Sequence, residues 1–116
     1  MELVVEQKPD CLYKILSYEH YQVTETRKEN VVLSAADDAF IHFSTEEQLD
    51  KIICKYWSTS IPFVVLKIEA DKLIGQLVYE TNPGGSVKYY HLYNGFIPFE
   101  AIVESKVVDS LDLVSR

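Results

Sequence analysis

This chain of 116 residues has few of the features by which small proteins are usually classified. Its two cysteines, Cys11 and Cys54, are far apart and form no CxxC pair, so we expect two buried free thiols rather than a disulfide or a redox site. The motifs GxSxG, GxxxxGKS/T, HExxH and GxGxxG are absent, which argues against serine-hydrolase, P-loop, zincin and Rossmann sites. The histidines and acidic residues match no metal-binding spacing, and we expect no dedicated metal.

Positive charge is also scarce. The chain has 11 Lys and Arg residues against 18 Asp and Glu residues, a net charge of −7, and the basic residues form no run. A nucleic-acid surface needs clustered Lys and Arg side chains, so we expect no stable nucleic-acid binding and no attraction to an anionic membrane. One small phosphorylated ligand, held locally by backbone amides, stays compatible with this charge.

Long apolar runs are absent. The first ten residues lack the basic start and apolar stretch of a signal peptide, and no segment reaches the roughly 18 apolar residues of a membrane span. We therefore expect a cytoplasmic protein without a membrane partner. Its length fits a single domain over residues 1–116, with an ordered core from about residue 11 to about residue 109.

Strand patterns outnumber helix patterns. From Thr45 onward, apolar residues recur at helical spacing up to Trp57, which predicts the main amphipathic helix; a weaker helix is predicted between Ser17 and Arg27, capped by Ser17. Asn94-Gly95 predicts a turn. The predicted strands are Leu12–Leu16, Phe40–Phe43, Pro62–Glu69, Leu77–Glu80, Val87–Tyr93 and Ile102–Val108. This pattern predicts an α+β fold, with one main helix on a mixed or antiparallel sheet.

The segment FIHFSTEEQL, residues 40–49, contains the first candidate for chemistry. Strand alternation would place Ile41 and Phe43 in the core and turn His42 and Ser44 towards a cleft. A capping box then follows, either Ser44 with Glu47 or Thr45 with Gln48, and the helix start could hold a small anion beside His42. In the alternative interpretation, Ser44 caps the helix, Glu47 already occupies the backbone amides, and His42 is a packing residue that hydrogen-bonds to the backbone.

A second candidate lies between residues 79 and 93. Glu80 at a strand end, the Gly84-Gly85 loop, and His91 and Tyr93 among further aromatic residues suit a pocket that stacks a ring and hydrogen-bonds its polar edge. The alternative is a plain hairpin, in which Gly84-Gly85 makes the turn and the tyrosines cover the sheet.

These same residues carry a family resemblance. The run from Phe40 to Thr45, followed by Gln48-Leu49, together with Tyr79-Glu80, Gly84-Gly85 and Tyr90-His91-Leu92-Tyr93-Asn94-Gly95-Phe96-Ile97-Pro98, resembles the bacterial family called domain of unknown function 952. The resemblance extends from about Leu12 to about Val108. Ala39 and Pro83 depart from the family, which usually has Gly and commonly Arg there, and Lys88 could replace that Arg only as a point charge.

The resemblance implies a fold similar to ADP-ribosyltransferases, in which a split sheet forms a cleft for NAD. By this analogy His42 holds the ribose, Ser44 supports it, and Glu80 is the candidate catalytic glutamate. The implied function is binding of NAD or a related nucleotide, with His42, Ser44, Gly84, Gly85, His91 and Tyr93 as ligand-binding residues. NAD would be a substrate rather than a resident cofactor, and the reaction would be transfer or hydrolysis at the nicotinamide ribosyl bond. The alternative is a non-catalytic module that binds a small ligand or a protein.

Overall fold

A computed structural model describes residues 9–32, 40–82 and 84–109 of the chain. The departures from the family at Ala39 and Pro83, and both termini, lie outside the described residues. The strands are β1 (Cys11–Ser17), β2 (Ile41–His42), β3 (Phe63–Glu69), β4 (Ile74–Thr81), β5 (Lys88–Phe96) and β6 (Ile102–Val108). The α-helices are α1 (Tyr18–Arg27) and α2 (Glu46–Ile52), and short 3₁₀ turns span Ala70–Lys72 and Phe99–Ala101.

The described strands form two antiparallel sheets of three strands each, in the orders β1-β3-β6 and β2-β5-β4. β3 is the central strand of its sheet, which agrees with its nearly continuous apolar sequence, and most of its residues are buried. The main core lies between the sheets, because one cluster joins Leu12 and Leu66 of the first sheet to Ile41 and Leu92 of the second. The α+β class is thus confirmed, with antiparallel pairing in both sheets.

The helices differ from the prediction of one main helix. α1 has ten residues and is capped by Ser17, whose side chain accepts a hydrogen bond from the backbone N–H of His20, whereas α2 has seven residues and continues as a π-helical turn over Ile53–Trp57. A π-turn has more residues per turn than an α-helix, so the helical spacing changes after Ile53: Tyr56 turns outward, while Trp57 still packs against Phe63. Ile53 is accordingly buried, while Tyr56 is 57% exposed.

The cysteines are free, but the prediction that both are buried is wrong. Cys54 lies in the π-turn immediately after Ile53 and faces outward, and Cys11 is the half-buried first residue of β1. Apolar burial on this side of the first sheet comes instead from a second cluster, in which Ile53 packs with Ile15 and Phe63.

The predicted turn at Asn94-Gly95 is also wrong, because β5 continues through both residues. The register with β4 shifts here: Gln76 pairs with Tyr93, and Ile74 pairs with Phe96, so β5 has one extra residue. Asn94 adopts a left-handed φ of 54°. The residues that favour a tight turn therefore form a β-bulge, which needs the same positive φ.

Candidate functional site

The histidines of the two candidate motifs lie side by side on neighbouring strands. In the register of β2 and β5, Ile41 is opposite Leu92 and His42 is opposite His91. Ile41 and Leu92 belong to the core between the sheets, so His42 and His91 face the other way, onto the outer side of the second sheet. The expected cleft between the split sheets is therefore not where these residues lie, because apolar side chains fill that space.

Glu80 reaches the same outer side from β4 and contacts both aromatic residues predicted to line the site with it. The Nδ1 atom of His91 lies 2.8 Å from Oε2 of Glu80, and the hydroxyl of Tyr93 donates a hydrogen bond to the same oxygen. Neither of these bonds uses the second oxygen, Oε1. The side chain of Glu80 is 35% exposed, whereas that of His91 is completely buried. The Glu80 carboxylate is thus held by His91 and Tyr93 through Oε2, while part of its side chain stays exposed to solvent.

Two residues that sequence reasoning missed complete the site. Asn82 lies two positions after Glu80, and its Oδ1 atom is 2.9 Å from Nε2 of His91. Phe40 stacks on His91 with ring centroids 4.0 Å apart, and it also lies against His42 and Tyr93. We refer to these six side chains as the outer-face cluster: Phe40, His42, Glu80, Asn82, His91 and Tyr93.

Electrostatics in this cluster favour an ionised carboxylate. The hydrogen bond from Tyr93, followed by that from His91, lowers the pKa of Glu80 below its usual value. The same bond to Glu80 raises the pKa of the Tyr93 hydroxyl, because the proton is held between the two oxygens and a phenolate would face a carboxylate. Near neutral pH the Glu80 carboxylate is therefore ionised and is held in a fixed position.

His42 and His91 differ in what they offer a ligand. His42 is half-buried, and its ring lies edge-on to His91 with centroids 5.2 Å apart. His91 has an oxygen against each ring nitrogen and no exposed surface, so it orients Glu80 rather than presenting a nitrogen to a ligand. The segment of residues 79–93 is therefore a hairpin, as in the alternative interpretation, and its outer side also carries the hydrogen-bonded side chains of Glu80, Asn82 and His91.

Ser44 is not part of the exposed surface. Its backbone N–H donates to the carbonyl oxygen of Tyr13 in β1 at 2.9 Å, and its own carbonyl oxygen accepts from the N–H of Tyr13 at 2.8 Å. Ser44 is also buried. The helix is capped one position later, by Thr45 with Gln48, which also corrects the proposed Ser44 cap. Gln48 accepts the hydrogen bond from the backbone N–H of Thr45, so the capping box itself occupies the amides expected to hold an anion.

Gly84 and Gly85 lie at the exposed tip of the hairpin between β4 and β5. The backbone N–H of Gly85 donates to the carbonyl oxygen of Asn82 at 2.9 Å, and Gly84 has a φ of +78°. These glycines therefore shape the turn that carries Asn82. Lys88 does not replace the family's arginine beside Glu80, since its ammonium lies over the ring of Tyr79, whose side chain points to the opposite side of β4.

Of the sequence-predicted site residues, Glu80, His91 and Tyr93 thus meet directly, His42 adjoins them, and Ser44 lies elsewhere. Strand alternation from Glu80 could have revealed Asn82, but its position in a Pro- and Gly-rich segment concealed the pattern. Among the described residues, no group of three or more His, Cys, Asp or Glu side chains is arranged to hold a metal ion. No helix within those same residues is long and apolar enough to cross a membrane.

Known proteins share this sequence pattern and this fold. The sequence model for the family described as protein of unknown function (DUF952) matches residues 15–105. The crystal structure of protein CC0527 from Caulobacter crescentus has a TM-score of 0.71 and 29% sequence identity, covering 85% of this chain and 86% of that chain. The solution NMR structure of CC0527 has a TM-score of 0.69 and 26% identity, with coverage of 87% and 86%. No curated protein matches.

Proposed function

This chain belongs to the family of proteins of unknown function DUF952, and we propose that its outer-face cluster binds NAD or a related nucleotide through the nicotinamide ribose. One observation carries the proposal: Glu80 is a partly exposed carboxylate with a lowered pKa, fixed through one oxygen by His91 and Tyr93. A ribose presents two adjacent hydroxyl donors, and an oriented carboxylate oxygen accepts such a donor strongly.

The negative charge of the Glu80 carboxylate favours contact with the nicotinamide end of the dinucleotide. The nicotinamide ring of NAD is cationic, and a carboxylate beside aromatic side chains complements such a ring. The pyrophosphate would lie away from Glu80, since the chain is acidic overall and Lys88 is on the opposite side of β4. In this arrangement Glu80 accepts from the ribose, and the half-buried His42 contacts the same sugar.

If the cluster is catalytic, the reaction breaks the bond between C1′ of the ribose and the nicotinamide nitrogen. The electron pair of that bond goes to nicotinamide, which becomes neutral, and positive charge develops at C1′. Ionised Glu80 would stabilise this charge, while an acceptor hydroxyl or water adds its oxygen to C1′ and releases its proton to solvent. Glu80 and His42 are then the catalytic residues, and His91 and Tyr93 hold Glu80 in place.

A second candidate is a non-catalytic module that binds a small ligand or a protein. Its support is the complete engagement of His91 by Glu80 and Asn82, because a fully buried ring with both nitrogens occupied cannot exchange protons readily with a substrate. In that case the same surface binds the ligand but turns nothing over.

Calorimetry with NAD and with ADP-ribose tests the proposal. We expect NAD to bind better than ADP-ribose, since only NAD carries the cationic ring, and we expect Glu80→Gln to weaken NAD binding about tenfold through loss of a charge-assisted hydrogen bond. Glu19→Gln, in the exposed first turn of α1, is the matched control and should leave the affinity unchanged. No heat with either ligand at millimolar concentration would refute nucleotide binding.

Release of nicotinamide separates the two candidates once binding is established. Turnover that is lost in Glu80→Gln and kept in Glu19→Gln supports catalysis. Binding without any turnover supports the non-catalytic module, whereas equal slow turnover in both variants would remove Glu80 from the chemistry.

A further inference from the structure

We propose that Asn82 is a positioning residue, which acts through the buried ring of His91 to fix the direction and the charge of the Glu80 carboxylate. The effect on a ligand depends on the proposed function. The arrangement of protons on His91 does not, and it can be tested in the ligand-free protein.

Two side-chain oxygens face the ring nitrogens of His91. Oε2 of Glu80 lies 2.8 Å from Nδ1, and Oδ1 of Asn82 lies 2.9 Å from Nε2. Both oxygens are acceptors, so both ring nitrogens must donate, and a neutral imidazole has only one N–H. The geometry therefore assigns a doubly protonated ring, whose positive charge is balanced by Glu80.

The ring can keep this state only while Asn82 provides its acceptor. His91 has no exposed surface, Phe40 stacks on its face, and His42 lies at its edge, so water cannot readily replace the Asn82 oxygen. The titratable groups around the ring are Glu80, His42 and, through Glu80, Tyr93. Without Asn82 a buried N–H would have no partner, and we expect the ring to lose that proton or rotate away from Glu80.

The backbone in turn fixes Asn82. Its carbonyl oxygen accepts the hydrogen bond from Gly85, and Gly84 supplies the positive φ of the hairpin tip. Asn82 is therefore both the first residue of the turn and the outer support of His91. This gives the Gly84-Gly85 loop a role in the site without ligand contact, because the loop determines where the Asn82 side chain lies.

Three variants test the role of Asn82. Asn82→Leu removes the acceptor, Asn82→Asp keeps an acceptor oxygen, and Ser86→Ala is a control in the exposed part of the same hairpin. The first readout is the pair of ¹⁵N chemical shifts of the His91 ring near neutral pH without ligand. We expect two protonated nitrogens in the wild type, in Asn82→Asp and in Ser86→Ala, and a single protonated nitrogen in Asn82→Leu.

The second readout is the dissociation constant of NAD. We expect Asn82→Leu to raise it about tenfold, because Glu80 loses its oriented partner, and Asn82→Asp and Ser86→Ala to stay within about threefold of the wild type. The acidic variant thus rescues what the apolar variant loses. Because Asp also favours turns, the ¹⁵N shifts of the His91 ring, and not the affinity alone, separate the positioning role from a structural role in the turn.

An unprotonated Nε2 in the wild type would overturn the proposal, and this result needs no variant to fold. Two protonated nitrogens retained in a folded Asn82→Leu would also overturn it. If the ring behaves as expected but no variant or wild type binds NAD, the positioning role stands and the proposed nucleotide function fails.

Discussion

Replacement of Gly95 by alanine tests the β-bulge at Asn94-Gly95. This bulge interrupts the regular pairing of β5 with β4 directly after Tyr93. A Cβ at Gly95 would overlap the carbonyl oxygen of Ile74 and lie 2.6 Å from Cα of Gly75. All of these atoms belong to the backbone of the neighbouring strand, so no side chain can rotate away to make room. β4 and β5 would have to separate at the bulge, with loss of the pairing between Ile74 and Phe96.

We expect Gly95→Ala to lower the free energy of unfolding by about 3 kcal/mol or more, in the range of severe backbone and packing defects. For a domain of this size that corresponds to a fall in the melting temperature of roughly 10 °C. Urea unfolding followed by circular dichroism measures the change.

Two other glycines provide a graded control. Gly84 has open space around it but a φ of +78°, so Gly84→Ala should cost about 1 to 2 kcal/mol from backbone strain alone. At Gly85 the tightest contact of a Cβ would be the Asn82 carbonyl oxygen, at 3.3 Å, and Gly85→Ala should change stability by about 0.5 kcal/mol or less. A Gly95→Ala protein as stable as Gly85→Ala would refute the assignment of the bulge and its register.

Local sequence patterns predicted the elements that local chemistry controls. The apolar run of β3, the final strand β6 and the Ser17 cap of α1 were predicted from neighbours within a few residues, and all three are present in the structure. The Asn94-Gly95 bulge could not be separated from a turn in this way. Both need a positive φ, and only pairing with the distant strand β4 decides between them.

The site was predictable in part from local patterns. Glu80 was identified from its place at a strand end, and His91 and Tyr93 from the aromatic strand that follows the glycines; the structure brings these three residues together. Alternation correctly separated Ile41 and Phe43, which enter the core, from His42, but it could not show that His42 faces the outer side of the second sheet, because that depends on how the two sheets pack. The complete burial of His91 also depends on a residue that is distant in sequence, because the ring of Phe40 stacks on the His91 ring.

Two further predictions concern a cap and the charge of the site. Thr45→Ala should cost about 1 kcal/mol in urea unfolding, whereas Glu47→Ala should cost less than about 0.5 kcal/mol, because Thr45 and Gln48 form the capping box; the reverse order would contradict this assignment. Tyr93→Phe removes the hydrogen bond that contributes most to the lowered pKa of Glu80, and that pKa should rise towards 4.5 in a carboxyl ¹³C titration. Because the pKa of folded Glu80 lies below its unfolded value, its stabilisation is complete above pH 4.5 and disappears as the pH falls through the folded pKa. The raised pKa of Tyr93 acts in the opposite direction, so its stabilisation is complete below pH 10.0 and is lost as the pH rises through the folded pKa. The stability difference between wild type and Tyr93→Phe should therefore be largest near neutral pH and shrink at both extremes. A difference that does not vary with pH would mean that the hydroxyl only fills space, and that Glu80 does not depend on it for its charge.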